Sequence, residues 1–112
     1  MQNNDDIMVR VSMKIILHAG NARNLLRPLA DRLSKIEKNE LSGIIAKVEE
    51  EILEAHKCHT QLIQKAASEM NLVPTVLFTH AQDTLMSAES ELFFIKTISY
   101  YIKQEVNENE FS

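Results

Sequence analysis

The stretch from residue 75 to residue 105 reads TVLFTHAQDTLMSAESELFFIKTISYYIKQE, and it decides the fold. It contains neither proline nor glycine, and apolar side chains recur every three or four residues, the spacing of an α-helix. Thr75 is suited to cap this helix, because its hydroxyl can accept a hydrogen bond from a free backbone N–H. One apolar stripe predicts the face that packs inside a bundle: Leu77, Ala81, Leu85, Ala88, Leu92, Ile95 and Ile102.

Two earlier segments, residues 7–36 and residues 41–70, repeat this helical pattern of apolar residues. The polar residues 37–40 form the turn between them, and Pro74 at the end of residues 71–74 is a strong stop. Pro28 lies inside the first segment and should kink the helix or loosen one turn. Each of the three helices has about 30 residues and is about 45 Å long at 1.5 Å per residue.

Short connections make neighbouring helices antiparallel, so the sequence predicts an all-α fold, an antiparallel three-helix bundle. Residues 1–112 form a single domain, with a polar tail from about residue 107 that we expect to fray.

A second stripe runs along the third helix, offset from the first. It includes Met86, Phe93 and Tyr100, with Phe94 and Tyr101 alongside. A helix that is apolar on two faces has more surface to bury than two partner helices cover, so we expect self-association. The alternative is that these aromatic residues pack around the edge of the core within a single chain.

Asp83 lies within this second stripe, where a carboxylate is costly unless it is paired, protonated or bound to a cation. If symmetry brings copies together, the carboxylates meet on the axis and call for a metal ion or shared protons. The plainer interpretation places Asp83 at the solvent-exposed edge of this second stripe.

Composition excludes several classes of function. A net charge of −4, without a basic stripe, argues against nucleic acid as a partner. No apolar run is long enough for direct insertion into a membrane, and the first residues do not resemble a signal peptide. The single cysteine, Cys58, permits no internal disulfide and fits a reducing cytoplasm. Without a glycine-rich phosphate loop, we expect no organic cofactor.

His80 is the best candidate for chemistry. A neutral imidazole near pH 7 is a good nucleophile toward phosphorus, and the phosphoramidate that forms passes its phosphoryl group on readily. Asp83 and Thr84 are its helical neighbours, whereas Gln82 does not share its face but could serve the site of a neighbouring subunit. The helix dipole favours an attached phosphoryl group. A histidine on a helix is also often a plain surface or core residue, and the residues alone leave this open.

Three motifs, in order, resemble a known family. Residues 19–23, AGNAR, resemble its A-G-[DN]-A-R, and residues 55–64, AHKCHTQLIQ, resemble A-H-x-x-Q-T-x-L-[IL]-Q. Residues 80–86, HAQDTLM, resemble H-[AG]-Q-D-H-L-M. The chain is therefore similar to the enzyme IIA component of the lactose/cellobiose (N,N'-diacetylchitobiose) class of the bacterial phosphoenolpyruvate-dependent sugar phosphotransferase system.

This resemblance implies a cytoplasmic homotrimer of three-helix bundles that carries phosphoryl groups. His80 would accept a phosphoryl group from the phosphocarrier HPr and pass it to a cysteine of enzyme IIB, for uptake of a β-linked disaccharide. Asp83 would lie near the threefold axis and could hold a divalent cation such as Mg²⁺. Gln82 and Thr84 would form the phosphoryl environment. The sequence of this chain does not determine which sugar is taken up.

The departures from the family pattern leave open an alternative, a diverged regulatory or interaction bundle with weak or no phosphotransfer. Thr84 stands where the family has a second histidine, and threonine cannot titrate. His59 replaces a glutamine, and Ala66 replaces a common glutamate.

Other polar residues have structural interpretations that we prefer. His56 and His59 have a spacing that could present two metal ligands on one helix. We prefer to interpret His59 as a core histidine and Cys58 as an inert thiol. Arg23 either holds the first helix against a neighbour or contacts phosphate. The run of glutamates at 49–51 is typical of a solvated face, and it would suit a basic docking surface.

Overall fold

The computed structural model describes the backbone of residues 4–69 and 75–111, and the side chains of residues 6–68 and 75–103. Three α-helices form the fold: α1 spans Asn4–Leu26, α2 spans Lys38–Glu69 and α3 spans Val76–Phe111. A 3-10 segment, Arg27–Asp31, follows α1 directly. The described residues include no strand, so the prediction of an all-α three-helix bundle is confirmed. The predicted stop at residues 71–74 lies outside the described residues.

Pro28 ends the α-helical part of the first segment. We predicted that this residue would kink the helix or loosen one turn, and the chain changes from α to 3-10 geometry at Arg27. Proline has no N–H to donate, so the α-helical hydrogen-bond ladder cannot run through it. The apolar stripe continues beyond the change, because Leu29 and Leu33 remain buried. The proline therefore alters the winding of the segment while its core face is kept.

The helix ends follow local chemistry. The backbone N–H of Phe78 donates to the hydroxyl of Thr75 at 3.0 Å, which confirms Thr75 as the cap of α3. α2 begins three residues earlier than residue 41, the predicted start. α3 continues to Phe111 and so includes residues 107–111 of the predicted polar tail.

The core is built from all three helices, with α1 packed along both of the others and fewer contacts between α2 and α3. Several of its most deeply buried residues have small side chains, and this allows helix backbones to approach closely. The fully buried members of this set are Ser12, Ala19, Ala22, Ala55, Ala81 and Ala88. Larger side chains fill the remaining space, chiefly Ile15, Leu26, Leu29, Val48 and Leu62.

The second stripe of α3 lies outside this core. Met86, Phe93, Phe94, Tyr100 and Tyr101 are each exposed by 59 to 66% in the single chain. These side chains therefore lie largely outside the core of the single bundle. We call them, together with Asp83 and Ser90, the outer face of α3.

None of the described helices has a stretch that is long and apolar enough to cross a membrane.

Candidate active site at the start of α3

His80 is the fifth residue of α3 and its side chain is exposed. The cap at Thr75 fixes the start of the helix, and the positive end of the helix dipole lies within the turn before the imidazole. An exposed nitrogen near this end can be approached by another protein, and negative charge attached to it is favoured. The position therefore suits a group that receives a phosphoryl group from outside the chain.

Thr84 lies one turn after His80 and is 92% buried, with a relative exposure of 8%. Its hydroxyl donates a hydrogen bond to the main-chain carbonyl of His80 at 2.9 Å. This is a common use of threonine inside a helix. The proton of the hydroxyl is therefore engaged by the backbone of His80, and the imidazole ring has no bond to it.

Asp83 is exposed on the outer face of α3. It borders a shallow depression of about 560 Å³ that Met86, Ser90, Glu91 and Phe94 also line. In one chain the depression is lined by two carboxylates, those of Asp83 and Glu91, and Glu91 is already paired with Arg23. Within the described part of a single chain, no group of three or more His, Cys, Asp or Glu side chains is arranged to hold a metal ion.

Gln82 points toward α2, away from the side of His80. Its amide nitrogen lies 3.0 Å from Nε2 of His59, which is half-buried and stacks on the ring of Phe78 at a centroid distance of 5.7 Å. The structure thus supports the interpretation of His59 as a histidine whose polar atoms are satisfied within the fold.

The pKa of His59 lies below its ordinary value of 6.5. Burial is the largest cause, because it penalises the charged ring, and the nearby His56 adds to the lowering. Glu89 opposes both effects. A neutral His59 can accept a hydrogen bond from the Gln82 amide at Nε2, so the lowered pKa favours the bonded arrangement.

His56 lies on the more exposed side of the same helix. Its Nε2 is 2.6 Å from Oε1 of Glu89 on α3. This partner could not be predicted, because the two residues are 33 positions apart and no motif connects them. His56 is thus paired across helices, and it does not form a metal-ligand set with His59 among the described residues.

Arg23 connects α1 to α3. Both its Nε and one terminal nitrogen bond the same carboxylate oxygen of Glu91, at 3.0 and 2.8 Å. The other oxygen of Glu91 is buried and has no hydrogen-bond partner. Of the two interpretations of Arg23, the contact supports the structural one, in which it holds the first helix against a neighbour.

The glutamate run at residues 49–51 agrees with the predicted solvated face at two of its three residues. Oε2 of Glu51 lies 2.7 Å from Nδ1 of His18 and accepts a hydrogen bond from Asn21 at 3.3 Å. Glu49 lies 3.8 Å from Nζ of Lys96 on α3. Glu51 therefore holds α2 against α1, whereas Glu49 and Glu50 are exposed, as expected for a solvated face. Pairing across helices is what the local charge pattern could not reveal.

Cys58 is a half-buried free thiol packed against the core, as expected for an inert cysteine.

Comparison with known proteins agrees with the motifs. The family model for the lactose/cellobiose-specific IIA subunit of the phosphotransferase system matches residues 10–103. The oligo-β-mannoside-specific EIIA component of Bacillus subtilis (strain 168) is 34% identical over 87 residues, which cover 78% of this chain and 79% of that protein. The lichenan-specific enzyme IIA component of the same organism is 33% identical over 81 residues, covering 72% and 74%.

A lactose-specific EIIA component from Lacticaseibacillus casei is 29% identical over 77 residues, covering 69% of each chain. No solved structure matches the chain at comparable significance. The family match covers most of the chain and all three motifs, and the helical bundle carries the motif that begins at His80 near the start of α3, where that side chain is exposed. The chain therefore belongs to the lactose/cellobiose-specific IIA family of the sugar phosphotransferase system, as a phosphoryl carrier component of that system.

Proposed function

We propose that His80 is the residue that carries the phosphoryl group. The observation that supports this most is its exposure at the capped start of α3, beside the positive end of the helix dipole. The other three histidines in the chain have side-chain partners: His18 with Glu51, His56 with Glu89 and His59 with Gln82. A ring nitrogen of His80 attacks phosphorus, and the bond between phosphorus and the donor breaks as the new P–N bond forms.

The donor in this proposal is HPr and the acceptor is a cysteine of enzyme IIB, and the exchange takes place in the cytoplasm. An exposed histidine suits transfer between proteins, because the donor and the acceptor must each reach the same nitrogen in line with phosphorus. The relatives are named for oligo-β-mannoside, lichenan and lactose. We infer a β-linked disaccharide as the sugar that the phosphoryl group finally reaches.

The outer face of α3 supports a homotrimer as the working form. Five large side chains are mostly exposed there in the single chain, and contiguous exposed apolar surface marks an interaction site. Val9, Met13 and Leu17 of α1 are exposed as well, so apolar surface is not confined to one helix.

Asp83 is the candidate metal ligand in the trimer. Carboxylate oxygen suits Mg²⁺, and three symmetry-related carboxylates would supply a compatible set of ligands. Such a cation would neutralise the negative charge that assembly brings to the axis. Within one chain, Asp83 presents an exposed carboxylate at the end of the outer face nearest the start of α3.

The deciding experiment follows the mass of the intact chain during incubation with phosphoenolpyruvate, enzyme I and HPr. We expect one acid-labile phosphoryl group per chain, absent in His80→Ala. The matched control is His56→Ala, since His56 is also exposed and lies outside the third motif. A phosphoryl group that persists in His80→Ala and disappears in His56→Ala would reject His80 as the carrier.

A second stage adds enzyme IIB to the phosphorylated chain. The phosphoryl group should leave this chain and appear on enzyme IIB, and an enzyme IIB whose cysteine is replaced by serine should leave it in place. Retention of the phosphoryl group with active enzyme IIB would contradict the proposed acceptor while leaving the role of His80 intact.

One observation favours a second candidate function, a regulatory bundle with weak or no phosphotransfer. The hydroxyl of Thr84, which stands where the family has a histidine, donates to the backbone of His80 and has no bond to the imidazole. Absence of phosphorylation in the first experiment, with enzyme I and HPr shown to be active on another IIA protein, would support this candidate.

A further inference from the structure

A groove lies between the first turns of α2 and residues 96–103 of α3, at the opposite end of α3 from His80. It has a volume of about 350 Å³. Three lysines, two serines and a tyrosine supply its polar atoms, and two aliphatic side chains of α2 complete the wall. We call it the lysine groove, and its polar residues are Lys38, Ser42, Lys96, Ser99, Tyr100 and Lys103.

The lysine groove concentrates positive charge in a chain whose net charge is −4. No acidic residue is among those that line it. Lys38 has no ion-pair partner among the described residues, and Lys96 has only a long contact of 3.8 Å with Glu49. Nζ of Lys103 donates to the main-chain carbonyl of Ile36 at 2.8 Å, so its charge is held at this end of the bundle without being neutralised.

The start of α2 adds a second source of positive potential. α2 begins at Lys38, and the first N–H groups of a helix have no partner within it. The first backbone N–H group of α2 that has a helical partner is that of Leu41, which donates to the carbonyl of Glu37. The N–H groups before it, with the dipole of a 32-residue helix, favour an anion at this point.

Ser99 is an independent indication of a ligand. Its side chain is 94% buried, with a relative exposure of 6%, and its hydroxyl has no hydrogen-bond partner. Buried hydroxyl groups in native proteins are nearly always bonded, so an unpartnered one in the wall of a cavity calls for an explanation. A hydroxyl rotates freely about its bond, and a ligand oxygen in the groove would satisfy it.

We propose that the lysine groove binds a small phosphate monoester. The phosphate group contacts Lys38 and Lys96 together with the start of α2, and the hydroxyl of Ser99 donates to the ligand. The volume suits a compact body such as a hexose. Ser99 is 19 residues from His80 on the same helix, about 28 Å at 1.5 Å per residue. The groove is therefore separate from the proposed carrier site, and binding there involves no covalent step.

The test is calorimetric titration of the full chain with glucose 6-phosphate, with glucose and inorganic phosphate as parallel probes. We expect glucose 6-phosphate to bind at one site per chain, inorganic phosphate to bind more weakly and glucose not to bind. Failure of glucose 6-phosphate to bind would overturn the proposal. Equal affinity for inorganic phosphate would overturn the assignment of an ester, because the body of the ligand would then contribute nothing.

Charge variants locate the binding. The double variant Lys38→Gln with Lys96→Gln should weaken affinity for glucose 6-phosphate by about tenfold or more, as expected for the loss of hydrogen bonds to charged groups. The matched control, Lys14→Gln with Lys47→Gln, removes two exposed lysines outside the groove and should change affinity little. Equal weakening in both variants would mean diffuse attraction to the whole chain and would reject the groove.

Ser99→Ala and His80→Ala complete the test. Ser99→Ala should weaken binding and raise the melting temperature of the free protein, because it removes a buried hydroxyl that has no partner. A loss of stability together with unchanged affinity would contradict the role of Ser99. His80→Ala should bind glucose 6-phosphate as the wild type does, and loss of binding there would place the phosphate at the start of α3 instead.

Discussion

The amide nitrogen of Gln82 lies 3.0 Å from Nε2 of His59, so the third motif of the family is bonded to the second motif across α2 and α3. His59 stands where the family pattern has glutamine. The histidine fills the place by stacking on Phe78 and remaining half-buried, and the orientation of Gln82 depends on it. A residue that departs from the family pattern thus positions one that keeps it.

His59 should make stability depend on pH. Its pKa is lowered in the folded chain, chiefly by burial, so the unfolded chain binds more protons below the ordinary value of 6.5. The contribution is fully present above that pH and is lost as the pH falls through 6.5 toward the lower folded pKa. We expect urea midpoints to fall between about pH 7.5 and about pH 5.5, and to fall less in His59→Gln.

The control for His59→Gln is His18→Gln, because this change leaves His59 and its neighbours His56 and Glu89 in place. If His59→Gln and the wild type lost stability to the same extent on acidification, the neutral state of His59 would not be the origin of the effect.

Removing Arg23 alone from its ion pair with Glu91 should destabilise the fold more than removing both partners. Arg23→Ala leaves the Glu91 carboxylate with both oxygens unpaired, one of them buried, and should cost about 1 to 3 kcal/mol in the free energy of unfolding. The double variant Arg23→Ala with Glu91→Leu removes the stranded charge and should recover part of that loss. Urea unfolding of the two variants measures both values, and a double variant less stable than Arg23→Ala would contradict this account.

Asp83→Leu should keep or strengthen the proposed trimer, because apolar contact replaces charges that assembly would bury. Sedimentation of wild type and variant over a range of protein concentrations measures the change. Dissociation of Asp83→Leu into monomers would show that the axial position assigned to Asp83 is wrong.

Phe93→Glu tests the same interface from the opposite direction. Phe93 is 65% exposed in the single chain, so the charge should leave the fold intact and weaken assembly. Leu53→Glu is the matched control, because Leu53 is 54% exposed on α2 and lies off the outer face of α3. Equal effects of the two charges on the mass in solution would remove the outer face from the interface.

Thr84→Val should change phosphoryl transfer by less than about tenfold, because the lost hydroxyl proton is used on a carbonyl and not on the imidazole. Rates of transfer from phosphorylated HPr, followed by rapid quench and intact mass, measure the effect. A larger loss would show that the Thr84 hydroxyl contacts the phosphoryl group, as the family resemblance implies for this position.

The helices were predictable because each needs only local information. Apolar spacing places the three helical segments, the hydroxyl of Thr75 caps α3, and the missing N–H of Pro28 changes the winding after Leu26. The motif around His80 identifies the candidate carrier in the same local way. The exact start of α2 was missed, because polar residues such as Lys38 and Asn39 are compatible with either a turn or a first helical turn.

Contacts between helices could not be predicted from single segments. His56 with Glu89, His59 with Gln82 and Glu51 with His18 each depend on the rotation and register of two helices. The spacing of charges along one helix does not determine the rotation or the register of that helix against another. For the same reason the lysine groove was missed, since its lysines come from two helices that are distant in sequence.

The alanines at the centre of the bundle affect how the chain meets its partners. Ala81 follows His80 directly and is fully buried, in a core where Ala19 and Ala22 are fully buried too. Small buried side chains let the helix backbones approach closely, and this close packing leaves the backbone beneath the histidine little room to rearrange. A partner protein would then meet a surface already in its final shape, and we expect the pace of exchange to be governed by how often the two proteins collide in the correct orientation.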